Sequence, residues 1–189
     1  SSSQLYLIGG LVFILIWCSL DNFFQIQRPE YAAGKWVVFI LGITRVVNML
    51  FGVNGTIIHI SKYYRFDTVT SFLLGVITVV TNYIFIPRFG IEGAAYATAT
   101  TIVLFNLIRY VFVYRKLSVH PFSFQTVSIS VILLIGIIVG VSLPRVDNIG
   151  FDTIYRSAIV GTLVLLPAYF LKISPEINRI FDRFLRPSA

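Results

Sequence analysis

One arginine stands in the middle of an apolar run. Arg45 lies within Trp36–Ile60, flanked by Ile43 and Thr44 on one side and by Val46 and Val47 on the other. An arginine near the centre of a bilayer costs at least about 2.5–3.5 kcal/mol on insertion scales, so it is expected to face a helix bundle or a wet cavity. On an ideal helix Arg45, Asn48, Gly52, Gly55 and His59 fall within a sector of about 80°. That face is polar or small throughout, whereas Val47, Met49, Leu50 and Ile58 lie broadly opposite. A guanidinium forms paired hydrogen bonds with phosphate or carboxylate and stays charged at any relevant pH, so a cavity-facing Arg45 suits an anionic ligand. The competing reading is structural, with Arg45 holding helices together through carbonyls or a carboxylate. No acid in this chain is expected to sit equally deep, so such a carboxylate would come from missing sequence or from another subunit. Both readings stand at this point.

Other polar residues give weaker signals. His59 suits either a proton relay or an interfacial histidine. Ser71, Gly75, Thr78 and Asn82 repeat at intervals of four, three and four, which keeps them on one helix face. Small residues there serve close helix packing or the lining of a cavity. The residues expected to line a substrate cavity are therefore Arg45, Asn48, Gly52, His59, Thr78 and Asn82. Catalysis finds little support. Glycosyl transfer or hydrolysis would want placed carboxylates and nucleophilic catalysis a Ser or Cys with a base, whereas the acids Asp21, Glu30, Asp67, Glu92, Asp147 and Asp152 are scattered towards segment ends. There is no glycine-rich phosphate loop followed by lysine. His120 has no partner at a metal-binding spacing, and the single Cys18 sits within an apolar run as a packing residue. The expectation is a chain that is not an enzyme and needs no cofactor or metal.

The elements that position these residues follow from hydropathy. Of 189 residues, 57% are hydrophobic and 12% charged, about half the charged fraction usual in a soluble domain. Six apolar stretches run approximately Leu5–Leu20, Trp36–Ile60, Thr68–Ile86, Ile91–Tyr114, Thr126–Leu143 and Thr153–Leu171. Each approaches the roughly 17–25 residues that a spanning helix requires. The runs are continuous rather than alternating, as in Val131 to Ile135, which favours helices over a membrane barrel. The first run lacks the basic flank and the small-residue cleavage site of a signal peptide. Gly93, Ala94, Ala95, Ala97 and Ala99 offer a surface for close helix contact, and Pro167 is expected to kink the last span.

Charge sets the orientation. Lys62, Arg65, Arg115, Lys116, Lys172, Arg179, Arg183 and Arg186 fall on one side, while Arg28, Lys35, Arg88 and Arg145 fall on the other. The richer side is expected in the cytoplasm, together with both chain ends. The net charge of +7 is then matched by anionic lipid headgroups rather than by nucleic acid. Beyond Leu171, Ser174, Pro175 and Glu176 can open a helix. Ile177, Ile180, Phe181, Phe184 and Leu185 share one face of it. The expected fold is an all-α membrane protein. A bundle of about six transmembrane helices occupies residues 1–173, and an amphipathic interfacial tail helix occupies residues 174–189.

The run Asn82–Thr98 reads Asn-Tyr-Ile-Phe-Ile-Pro-Arg-Phe-Gly-Ile-Glu-Gly-Ala-Ala-Tyr-Ala-Thr. It resembles the C-terminal half of bacterial polysaccharide flippases of the multidrug/oligosaccharidyl-lipid/polysaccharide exporter superfamily. Pro29–Gly34 through Asn54 and Gly55 is similar to the span that precedes it there, and Tyr110–Lys116 to the segment that follows. The likeness covers most of Pro29–Lys116; beyond it only the hydropathy agrees. It implies one six-helix lobe of a two-lobe transporter, with an N-terminal lobe missing from this sequence. It also implies transfer of polyprenyl-pyrophosphate-linked oligosaccharide across the bacterial inner membrane by alternating access, with membrane lipids as surroundings. No fixed arginine of that family maps onto Arg45, whose role rests on the physical argument alone. The alternatives are a multidrug exporter of the same superfamily and a membrane scaffold subunit without transport of its own.

Overall fold

In a bilayer the backbone must satisfy its own hydrogen bonds, and a helix does so within one segment. The computed structural model describes residues 2–27, 34–117 and 124–171. Over them the chain is α-helical: α1 (Ser2–Ile26), α2 (Gly34–Leu50), α3 (Gly52–Ile60), α4 (Tyr64–Leu117), α5 (Phe124–Ser142) and α6 (Ile149–Phe170). Four of these helices, α1, α4, α5 and α6, are long and apolar enough to cross a membrane. The chain has the build of a multi-span, all-α membrane protein. The expected tail helix of residues 174–189 lies outside the described residues.

α4 is 54 residues long but reverses direction part-way. At Gly90 the backbone takes φ 57° and ψ −131°, a conformation open to glycine and strained for other residues. A straight helix would hold Thr81 and Thr101 about 30 Å apart, yet their hydroxyls hydrogen-bond at 2.9 Å. Phe66 stacks on Phe112 at 3.7 Å between ring centroids, and Asp67 pairs with Arg109. Pro87–Gly90 is therefore the tip of a helical hairpin with arms 64–89 and 91–117. The small-residue surface is used as anticipated. Gly93, Ala95 and Ala97 are buried, and Gly93 lies against the Phe85 carbonyl of the opposite arm.

The expected single helix over Trp36–Ile60 is divided. α2 ends at Leu50, Phe51 departs from helical geometry at φ −93° and ψ 0°, and α3 begins at Gly52. Gly52 and Gly55 are weak helix formers, which makes this the least supported point of the run. α3 closes on Ser61, whose hydroxyl donates to the Ile58 carbonyl and accepts from the Tyr63 amide. That turn feeds α4. By contrast, α6 continues through Pro167 to Phe170.

The helices group into two compact units, one of α2, α3 and α4, the other of α1, α5 and α6. In the second unit Leu7, Ile14, Ile129, Val160 and Val164 form the buried apolar core. Tyr6 and Ser130 hydrogen-bond between α1 and α5, and the Cys18 side chain sits against Gly140. Near one end of this unit lies a buried ionic network that the sequence reading missed. Arg156 is 5% exposed and Asp152 1%. Arg156 Nε donates to Asp152 Oδ2 at 2.8 Å, and its other two nitrogens donate to the carbonyls of Gly140 and Leu143. Asp152 also accepts from Asn22 on α1 and from the Val146 amide. All three guanidinium nitrogens are used, and the last carbonyls of α5 find a donor.

Removing one member of such a pair strands the other charge, a loss of about 3–5 kcal/mol. Arg156→Met is expected to lower the thermal midpoint in detergent sharply. The double variant Asp152→Leu/Arg156→Met should recover much of that loss. A double variant no better than the single would show that the stranded carboxylate is not the cause.

Candidate functional site

The polar face of α2 and α3 meets two different surroundings. Asn48 and Gly55 sit on one edge of the roughly 80° sector, and Arg45 and Gly52 sit on the other. The first edge packs on the 91–117 arm of α4. Asn106 is buried there and donates to Asn48 Oδ1 at 3.0 Å. One turn further along the same arm, Arg109 lies beside Gly55. A methyl group at position 55 would stand 2.7 Å from Arg109 Nη1. A larger residue here would have to displace the end of the Arg109 side chain.

Arg109 is itself paired. Its Nη2 donates to Asp67 Oδ1, and both side chains are 17% exposed. Asp67 occupies the first turn of α4, where the positive end of the helix favours a carboxylate. The guanidinium carbon lies 4.1 Å from the centroid of the Phe105 ring. The Nε atom is buried without a hydrogen-bond partner. His59 approaches Asp67 from α3, with Nδ1 3.5 Å from Oδ2, although 76% of its side chain is exposed. Asn48, Gly55 and His59 thus converge on α4 through Asn106, Arg109 and Asp67. The signal for Arg109 was present in the sequence, since it too interrupts an apolar run, Ile91–Tyr114.

The second edge is open. Arg45 and Gly52 are exposed, while Thr44 beside them is buried and donates to the Ile40 carbonyl. Among the described residues Arg45 forms no ion pair. Three arginines stand inside apolar runs, and it differs in this from Arg109 and Arg156.

The second stripe turns outward from its hairpin. Ser71 and Gly75 are exposed, and nothing lies within 4 Å of a methyl group built on Gly75. Thr78 donates to the Leu74 carbonyl and Asn82 to the Thr78 carbonyl, both at i−4. The buried face of that arm carries Thr70 and Thr81 instead. Close packing between the hairpin arms therefore does not use the Ser71–Asn82 stripe. Of the residues expected to line a cavity, Asn48 and His59 are drawn to α4, Arg45 and Gly52 remain open, and Thr78 and Asn82 bond back to carbonyls of their own helix. A groove of about 520 Å³ along α6 is lined by Ala158, Ile159, Thr162, Leu163, Leu166 and Pro167. It carries no charge with which to recognise an anion.

No protein-family model, no curated protein and no solved structure matches the chain.

The contact between Gly55 and Arg109 can be read energetically. Gly55→Ala pushes the guanidinium away from Asp67 and should destabilise the protein by about 1–3 kcal/mol. In an Arg109→Met background the same substitution should cost much less, because residues in contact are non-additive. Detergent unfolding of the two singles and the double measures this coupling. Additive losses would mean that Gly55 does not hold Arg109 in place.

Proposed function

We propose that this chain is the C-terminal lobe of a transporter that flips polyprenyl-pyrophosphate-linked oligosaccharide across the bacterial inner membrane during cell-surface polysaccharide synthesis. It does so by alternating access, with an N-terminal lobe of the same protein completing the cavity. The six spans of this reading are α1, α2 continued by α3, the two arms of α4, α5 and α6, and both chain ends lie in the cytoplasm. Arg45 is the contact for the pyrophosphate or for an acidic sugar.

The observation that carries this reading is the open arginine. Arg45 lies about 16 Å along α2 from Gly34, at 1.5 Å per residue, and is exposed without an ion-pair partner among the described residues. An unmatched guanidinium at such depth is tolerated where an anion or water can reach it. The likeness of Asn82–Thr98 to polysaccharide flippases adds a second line of support. A multidrug exporter of the same superfamily fits less well. Cationic drugs call for an available carboxylate, and Asp67 and Asp152 are committed to Arg109 and Arg156.

In the full-length protein, Arg45→Ala and Arg45→Glu are expected to abolish surface polysaccharide export while leaving protein levels intact. Arg45→Lys should retain part of it, as a point charge without the paired geometry. Export is read as surface polysaccharide per cell alongside immunoblots of the membrane fraction. Normal export by the alanine and glutamate variants would remove Arg45 from the site and favour a scaffold role.

A further inference from the structure

The open end of the α4 hairpin gathers four cations that lie far apart in sequence. Stacking of Phe66 on Phe112, with Tyr63 edge-on to the same ring at 5.4 Å, brings the turn before α4 beside the end of its second arm. Lys62 and Arg65 flank Tyr63 and Phe66, while Arg115 and Lys116 stand one turn beyond Phe112. All four side chains are exposed. None forms an ion pair among the described residues, and Lys62 instead lies 5.2 Å from the Tyr63 ring centroid. The nearby acid, Asp67, is already taken by Arg109 and approached by His59. The positive charge of this end is therefore left without a counterion among the described residues of its unit.

We infer that this end is a binding site for the headgroup of an anionic phospholipid, held by Lys62, Arg65, Arg115 and Lys116. Two features favour a lipid over a free phosphate. Tyr64 and Tyr114 are exposed beside the cations, and amphipathic aromatic rings prefer the headgroup level. Exposed Val69, Leu107 and Val111 continue from them along the arms and offer an apolar wall to acyl chains. The dimensions agree as well. An arm of 26 residues is about 39 Å long, so with the Gly90 tip near one headgroup layer the cations reach the other. The site rests on the multi-span build of the chain and is independent of the flippase reading.

The test uses the full-length chain purified in detergent and titrated with fluorescent phosphatidylglycerol and, separately, with phosphatidylcholine. Preferential binding of phosphatidylglycerol is expected, weakened by 0.5 M NaCl relative to low salt as screening grows. Each cation removed should weaken binding about fivefold, so Arg115→Gln/Lys116→Gln should lose much more than the matched control Arg88→Gln/Arg145→Gln. Lys62→Arg and Lys116→Arg should bind as the parent does. Equal binding of the two lipids, or equal losses in the two double variants, would overturn the site. Saturation by inorganic pyrophosphate with no preference between lipids would assign the patch to a free phosphate and refute the lipid. Should the double variant fail to fold, the salt dependence and lipid preference of the unmodified chain decide the matter alone.

Discussion

A charge inside an apolar helix has to be matched, and that constraint organises both helical units. Lipid is as apolar as leucine, so apolar surface alone gives two membrane helices little reason to choose one register over another. Ionic and amide contacts supply that choice. Arg156 joins α6 to the end of α5, and Asp152 extends the same network to α1 through Asn22. Asp67 and Arg109 do the equivalent for the two arms of α4. Each pair lies near one end of its unit, where the helix termini supply further partners.

Packing fills in what the charges align. In the α4 hairpin the positive φ of Gly90 permits the reversal, and buried Gly93, Ala95 and Ala97 let the arms approach. The Thr81–Thr101 hydrogen bond then ties the arms nearer the tip, and Asp67–Arg109 ties them at the open end. α2 and α3 complete the unit through Asn48–Asn106 and through the fit of Gly55 against Arg109. Polar residues in this unit serve register first.

Much of the helical architecture was legible because hydropathy acts locally. The helical nature of the apolar runs, the turn at Gly90 and the use of the Gly-Ala surface follow from residues close together in sequence. The ionic pairs were not legible in the same way. Asp67 and Arg109 are 42 positions apart, and nothing local says which acid an arginine will find. Asp152 and Arg156 were available at a spacing of four, but Asp152 falls just outside the apolar run Thr153–Leu171 and Arg156 inside it, so the run's boundary separates the pair. The break at Phe51 was hidden for a related reason. A window wide enough to find a span averages over Gly52 and Gly55, which weaken the helix at one point. For the sector around Arg45, an angular position alone does not tell whether a neighbour or open space lies opposite.

That distinction changes what the polar face can do. Asn48 has its carbonyl engaged by Asn106, and Gly55 is filled by Arg109, so this edge contributes fixed groups rather than free ones. Arg45 and Gly52 lie on the edge that stays open. A ligand reaching α2 would meet a guanidinium on a helix whose other polar edge is already anchored to α4. Anchoring of this kind reduces the freedom lost when a charged group engages a phosphate, because the backbone that carries it is held beforehand. The paired arginines and the open one then do separate work on the same chain. Arg109 and Arg156 fix the helices, and the α2 backbone that presents Arg45 is held to α4 through Asn48 and Asn106.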